Sequence, residues 1–280
     1  MIPFPENIYI PLDKWVDAIV EWITIAGDSL FDTIGAILLA PMVQLEKLLL
    51  AIPWFVIILL VAFLAWRATG WKLAVGVVLG LFFIGTLGLW VAAMKTLAIV
   101  LFATLLAILL GVPIGIAMAQ SNRVKRILQP VLDMMQTMPS FVYLIPALML
   151  FGLGKVPALI SVLIYAIPPA IRLTDLGIRQ VPEDVIEAAK AFGSSSRQLL
   201  FKVQIPLATP TIMTGVNQTI MMSLAMVVVA SMIGAGGLGS EVLNGIARLE
   251  VGRGFNGGIS IVIMAIIMDR LTQSFAKAKH

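Results

Sequence analysis

Apolar residues gather in seven stretches along this chain, separated by short polar or charged segments. A membrane-crossing helix needs about 20 mostly apolar residues to traverse roughly 30 Å of hydrocarbon. The pattern predicts such helices over 48–66, 73–91, 96–119, 137–153, 156–171, 211–233 and 259–271. Pro139, Pro146, Pro168 and Pro169 fall in the fourth and fifth stretches and are expected to kink or interrupt them. Such breaks are tolerable where neighbouring protein re-satisfies the freed carbonyls. Ahead of the first stretch, Leu12, Trp15, Val16, Ile19, Ile23 and Ala26 recur at helical spacing, with Asp13, Lys14, Asp17 and Glu21 off that stripe. This predicts an amphipathic helix, either lying in the membrane interface with Trp15 and Trp22 as anchors or packed against the bundle. The chain therefore divides into an N-terminal extracytoplasmic or interfacial segment, 1–47, and a transmembrane domain, 48–280. The fold class is an all-α polytopic membrane protein with about seven spans.

Composition strengthens that reading. Hydrophobic residues make up 60% of the 280 positions and charged residues 12%, against about 45–50% and 25% in soluble domains. With no Cys, and one His at position 280, disulfides, thiolate sites, His-based triads and multi-His metal sites are excluded. No catalytic residue, metal or cofactor is expected. The net charge of +4 is small, and its distribution is more telling. Thirteen Lys and Arg fall in one set of loops (Arg67, Lys72, Arg123 to Arg126, Arg172 to Lys202, Arg270 to Lys279) and six in the other. The positive-inside rule makes the first set cytoplasmic, which puts the N-terminus outside and the C-terminus inside. A nucleic-acid partner is not indicated.

The longest inner connection, about 172–210, is more than a linker. Pro182 suits a first helical turn, and Glu183 and Asp184 complement the helix dipole. Val185, Ala188, Ala189 and Phe192 then share one face, and Gly193 is placed to close the helix in a left-handed cap. Ser195 to Gln198 matches a capping box for a second short helix, 199–203, which Pro206 is expected to stop. Small residues at 188 and 189 would let such a helix seat in a groove on another protein, with Glu187, Lys190 and Arg197 setting its register. A hairpin lying on the membrane surface is the alternative.

Glu187-Ala188-Ala189, then Gly193, then Val203-x-Ile205-Pro206 after nine residues, resembles the EAA loop of ABC-importer permeases. Val and Ile stand here where that pattern has Ile and Leu. Leu132 to Pro146, Phe201 to Leu207 and Ser231 to Glu241 are similar to the permeases of glycine betaine/proline/choline importers. The resemblance implies a homodimer of this chain with two copies of an ABC ATPase, fed by an extracytoplasmic substrate-binding protein, in a bacterial inner membrane. It implies import of glycine betaine or a related quaternary amine such as choline, proline betaine or carnitine. In that scheme Glu187, Ala188, Ala189 and Gly193 form the coupling helix and its turn, and Ile205 and Pro206 end the loop.

Other constellations carry less. Gly234 to Gly239 satisfies G-x-G-x-x-G, but dinucleotide binding needs a preceding strand in a βαβ unit, and a membrane span precedes it here. The outer loop that follows, with Glu241, Arg248, Glu250 and Arg253, is either a docking surface for a binding protein or a solvated loop. No Walker A pattern occurs, so ATP hydrolysis would reside in a partner. Asn217, Gln218 and Thr219 are costly in lipid and should face the bundle, either bonding helices or lining a substrate path together with Met221. Phe141 and Tyr143 could present π faces to a quaternary ammonium or simply pack. Asp133, Asp175 and Asp269 fall near cytoplasmic span ends, without a mid-membrane acid–base chain. That weakens the rival reading, a stand-alone ion-gradient-driven transporter or channel.

Overall fold

A computed structural model of the chain describes residues 11–277, and those residues form helices joined by short turns, with no strand among them. Lys279 of the charge count and His280 lie outside the described residues. Helix α1 runs unbroken from Leu12–Ala51, so the boundary expected at 47/48 falls inside it. The chain turns instead at Ile52, which Pro53 holds extended at ψ 130°. Its C-terminal end packs on the bundle through buried Met42 and Glu46, whose carboxylate takes a 2.6 Å ion pair from Lys155.

Helices α2 (Trp54–Ala68) and α3 (Trp71–Thr86) form an antiparallel pair. At 15 and 16 residues they are about 22–24 Å long, short of the roughly 30 Å of hydrocarbon. Helix α4 (Trp90–Gln120) is a full span. The expected span 137–153 does not form as one helix. Pro139 forces Met138 out of the helical region (ψ 137°), which ends amphipathic α5 (Asn122–Thr137). A 3-10 turn, Ser140–Tyr143, then leads into α6 (Leu144–Phe151), bent by 113° from α5.

Pro168 and Pro169 do not interrupt α7 (Lys155–Arg179), which stays helical between α4 and α10. Gly111 and Gly115 permit that approach: a Cβ at Gly115 would lie 2.6 Å from the Ile171 carbonyl oxygen. The Gly111-x-x-x-Gly115 spacing is thus a real helix seam, with Ala170 against Gly111. After α7 come α8 (Glu183–Ala191), α9 (Ser196–Gln198) and a π-helical stretch, Leu199–Gln204, which flows into α10 (Ile205–Ala230). The positive-φ turn at Gly234, Gly236 and Gly237 leads to α11 (Leu238–Ala247), and α12 (Val251–Lys277) completes the bundle.

Five helical stretches are long and apolar enough to cross a membrane: α1, α4, α7, Ser196–Ile233 and α12. The bent α5–α6 pair makes a sixth if it is taken as one span. The all-α membrane architecture stands, but the count of seven is not reached, because two expected spans are short and one is folded back.

Candidate docking loop and polar path residues

The 172–210 connection is built stiff at its base and open at its tip. At the base, Asp175 is 4% exposed and accepts from Lys125 Nζ and Arg179 Nε, each at 2.7 Å. Arg179 also donates to Asn122 Oδ1 at 2.9 Å and the Met118 carbonyl at 2.8 Å. One carboxylate and one guanidinium therefore tie the ends of α4, α5 and α7 together. The sequence placed Asp175 near a span end without revealing this network, because Lys125 lies 50 positions from Asp175 and Met118 lies 61 from Arg179.

At the tip, α8 has no buried residue, and Glu187, Ala188 and Lys190 are exposed while Ala189 is half-buried. Phe192, just past its end, is 93% exposed. The helix closes in a Schellman arrangement. Gly193 N–H donates to the Lys190 carbonyl at 2.9 Å, and Ser194 N–H to the Ala189 carbonyl at 3.1 Å. Gly193 sits at φ +78° with nothing within 4 Å of a would-be Cβ, so the glycine serves backbone shape alone. The capping box forms as expected, with Ser195 N–H to Gln198 Oε1 at 2.9 Å and Gln198 N–H to Ser195 Oγ at 3.3 Å. Pro206 is not a stop. Its ring would clash with the carbonyl four residues back, and the wider π-type winding over Leu199–Gln204 lets the helix run through it. Ile205 is half-buried and Pro206 exposed, at the root of the loop. Among the described residues Glu187, Lys190 and Arg197 enter no ion pair with the rest of the chain.

The path candidates separate. Phe141 is 59% exposed on the 3-10 turn, whereas Tyr143 is 4% exposed. The Tyr143 hydroxyl donates to the Met135 carbonyl, and its ring meets Tyr165 edge-on at 5.7 Å and 76°. The two aromatics therefore occupy different environments and make no cage. Asn217 of α10 donates through Nδ2 to Asp269 Oδ1 of α12 at 2.9 Å, and Met221 lies half-buried one turn further along α10. Gln218 is exposed, while Thr219 is fully buried with its hydroxyl unpartnered. Where α11 meets α12, Arg253 Nε of α12 pairs with Glu241 of α11 at 2.7 Å and its Nη1 with Glu250 of the connecting turn at 3.5 Å, leaving Arg248 exposed in that turn. Three of the four outer-loop candidates thus form one cluster.

Residues 111–279, which carry the α7–α10 loop and the spans around it, match the family described as binding-protein-dependent transport system inner membrane component. The chain belongs to that family. This permease is 50% identical over 275 residues to the glycine betaine/proline betaine transport system permease protein ProW of Escherichia coli, covering 98% of this chain and 77% of that one. It is 48% identical to the glycine betaine/carnitine transport permease protein GbuB of Listeria monocytogenes, covering 98% of both chains. It is 47% identical to the glycine betaine transport system permease protein OpuAB of Bacillus subtilis, covering 96% of both. The fold resembles that of the MetNI methionine ABC transporter in inward-facing form, with a TM-score of 0.61 at 19% identity over 68% of this chain and 95% of that one. The protein is a multi-pass inner-membrane transport subunit, not an enzyme.

Proposed function

We infer that this permease imports glycine betaine or a closely related quaternary amine, working as a homodimer with two copies of an ABC ATPase and an extracytoplasmic binding protein. The observation that carries the reading is the α8 tip: a nine-residue helix with no buried side chain, ending in a 93% exposed Phe192. A helix this short is marginal in water without a partner surface. Its exposed small residues and aromatic end suit a groove on the ATPase, and Asp175 and Arg179 join its root to the bundle. The coupling loop comprises Glu187, Ala188, Ala189, Gly193, Ile205 and Pro206. Closure of the ATPases on nucleotide would push α8 and, through that rigid root, α7 and α4.

Substrate class follows from relatives about half identical over nearly the full chain, which are named for glycine betaine, proline betaine and carnitine. Asn217 and Met221 are the path residues we favour, with Phe141 on the exposed side of the 3-10 turn and Tyr143 as that turn's packing anchor. The Glu241–Arg253–Glu250 cluster, with Arg248, is the docking surface for the binding protein. The termini lie outside (N) and inside (C), as the distribution of Lys and Arg requires. The test is reconstitution of the chain with its genomic-neighbour ATPase and binding protein in liposomes. ATP-dependent accumulation of labelled glycine betaine is expected; ion-gradient-driven flux through the chain alone would replace this reading with a secondary carrier.

A further inference from the structure

Asp269 lies on α12 inside a candidate membrane span, facing α10. Its carboxylate accepts from Asn217 Nδ2 at 2.9 Å and from Gln273 Nε2 at 2.8 and 2.9 Å. Among the described residues it forms no ion pair, whereas Glu46, Asp133, Asp175 and Glu241 each have a Lys or Arg within 4.0 Å. Two neutral amides orient this carboxylate and leave its charge uncompensated. The second observation is independent: Asn217 Oδ1 is buried and has no hydrogen-bond donor. Buried polar atoms are nearly always satisfied, and an intramembrane carboxylate is rare without a functional task. The site thus holds two acceptors and, among the described residues, no cation within ion-pair distance.

Asp269 and Asn217 are each half-buried, so the pair is reachable rather than sealed. Met268 and Thr272, close to Asp269 on α12, line with Ile220 of α10 an apolar cavity between α2, α3, α4, α10 and α12, whose lining does not itself include Asp269 or Asn217. A carboxylate beside an unpartnered amide oxygen complements an onium head group, whose methyl groups carry the positive charge and offer only weak C–H donors. A hard metal ion would call for more oxygen ligands than these. We propose that Asp269, with Asn217 Oδ1, is a station for the quaternary ammonium group of the substrate as it passes through the bundle. The proposal rests on the transport reading above and names a residue that reading lacked.

The test uses the complete complex in liposomes, with labelled glycine betaine and saturating binding protein, comparing wild type with Asp269→Asn and Asn217→Ala. Asparagine keeps the shape and the two contacts to Oδ1, gives up the one Gln273 makes to Oδ2, and removes the charge. Uptake by Asp269→Asn is expected to fall tenfold or more, with ATPase co-purification and thermal midpoint as in wild type. Uptake within twofold of wild type overturns the proposal and leaves Asp269 a helix clamp. Should Asp269→Asn fail to assemble, Asn217→Ala decides: a threefold or greater loss supports the station, and a wild-type rate overturns it. Wild-type uptake in the same vesicles reports on the transport reading itself. Its absence overturns both, whereas loss confined to the variants cannot arise from a wrong substrate class.

Discussion

Gly115 and Gly193 are both glycines for opposite reasons. At Gly115 there is no room: α4 and α7 touch so closely that any side chain meets backbone at 2.6 Å. At Gly193 there is nothing but room, and only the left-handed turn at φ +78° demands glycine. The first belongs to a seam where small residues replace bulk so that helices move together. The second belongs to a tip that makes almost no contact with its own chain. A transport subunit driven from outside needs both, a rigid transmission and a free surface to be pushed. The Asp175–Arg179 network lies where the two meet.

The sharpest way to break the contrast is to fill the seam. Gly115→Leu should force α4 off α7, costing more than about 4 kcal/mol, and should appear as loss of folded protein in detergent gel filtration. Asp175→Asn comes next. It strips the anion from Lys125 and Arg179, and breaking a buried pair costs about 3 kcal/mol. Its thermal midpoint should drop, and ATP-driven uptake should fall further than stability alone explains, because the Lys125 tie between α5 and α7 is lost and Arg179 is no longer held by its carboxylate.

Changes at the tip should do the reverse, sparing the fold and harming coupling. Phe192→Ala removes a side chain the bundle never touches, so thermal unfolding should be unchanged. Affinity for the ATPase should fall about tenfold, or 1.4 kcal/mol, by titration of the separated subunits. The smallest effect is expected from Ser195→Ala, which removes one cap hydrogen bond worth about 1 kcal/mol. Hydrogen exchange should rise over α9 and the π-helical stretch and remain unchanged in α7.

The same division separates what could be read from the chain from what could not. The tip was legible because its signals are local: Pro182, Gly193 and the Ser195–Gln198 box act at fixed offsets on a few residues of backbone. The prolines were not legible one by one. Pro139 ends a helix, Pro168 and Pro169 sit inside one, and Pro206 is absorbed by a π-type widening; what decides is whether neighbouring helices or a change of winding accommodates the ring. The seven apolar stretches located most of the bundle but not its borders. Helix α1 runs on past the expected junction, and even through Pro41, until Pro53 holds Ile52 extended. The Asn217–Asp269 contact was invisible because it joins residues 52 positions apart on two helices.

The proposed coupling stands or falls with α8 as the surface through which a separate ATPase drives this permease. The most direct measurement is purification of the tagged chain from its native membrane in mild detergent, counting ATPase subunits by mass spectrometry, alongside Gly193→Val. A φ of +78° costs a β-branched residue about 1–2 kcal/mol, enough to distort the turn without unfolding the bundle. One ATPase per wild-type chain, with substrate-stimulated hydrolysis lost in the folded variant, is the predicted result. A wild-type chain that purifies alone, or a Gly193→Val complex that couples normally, would contradict it.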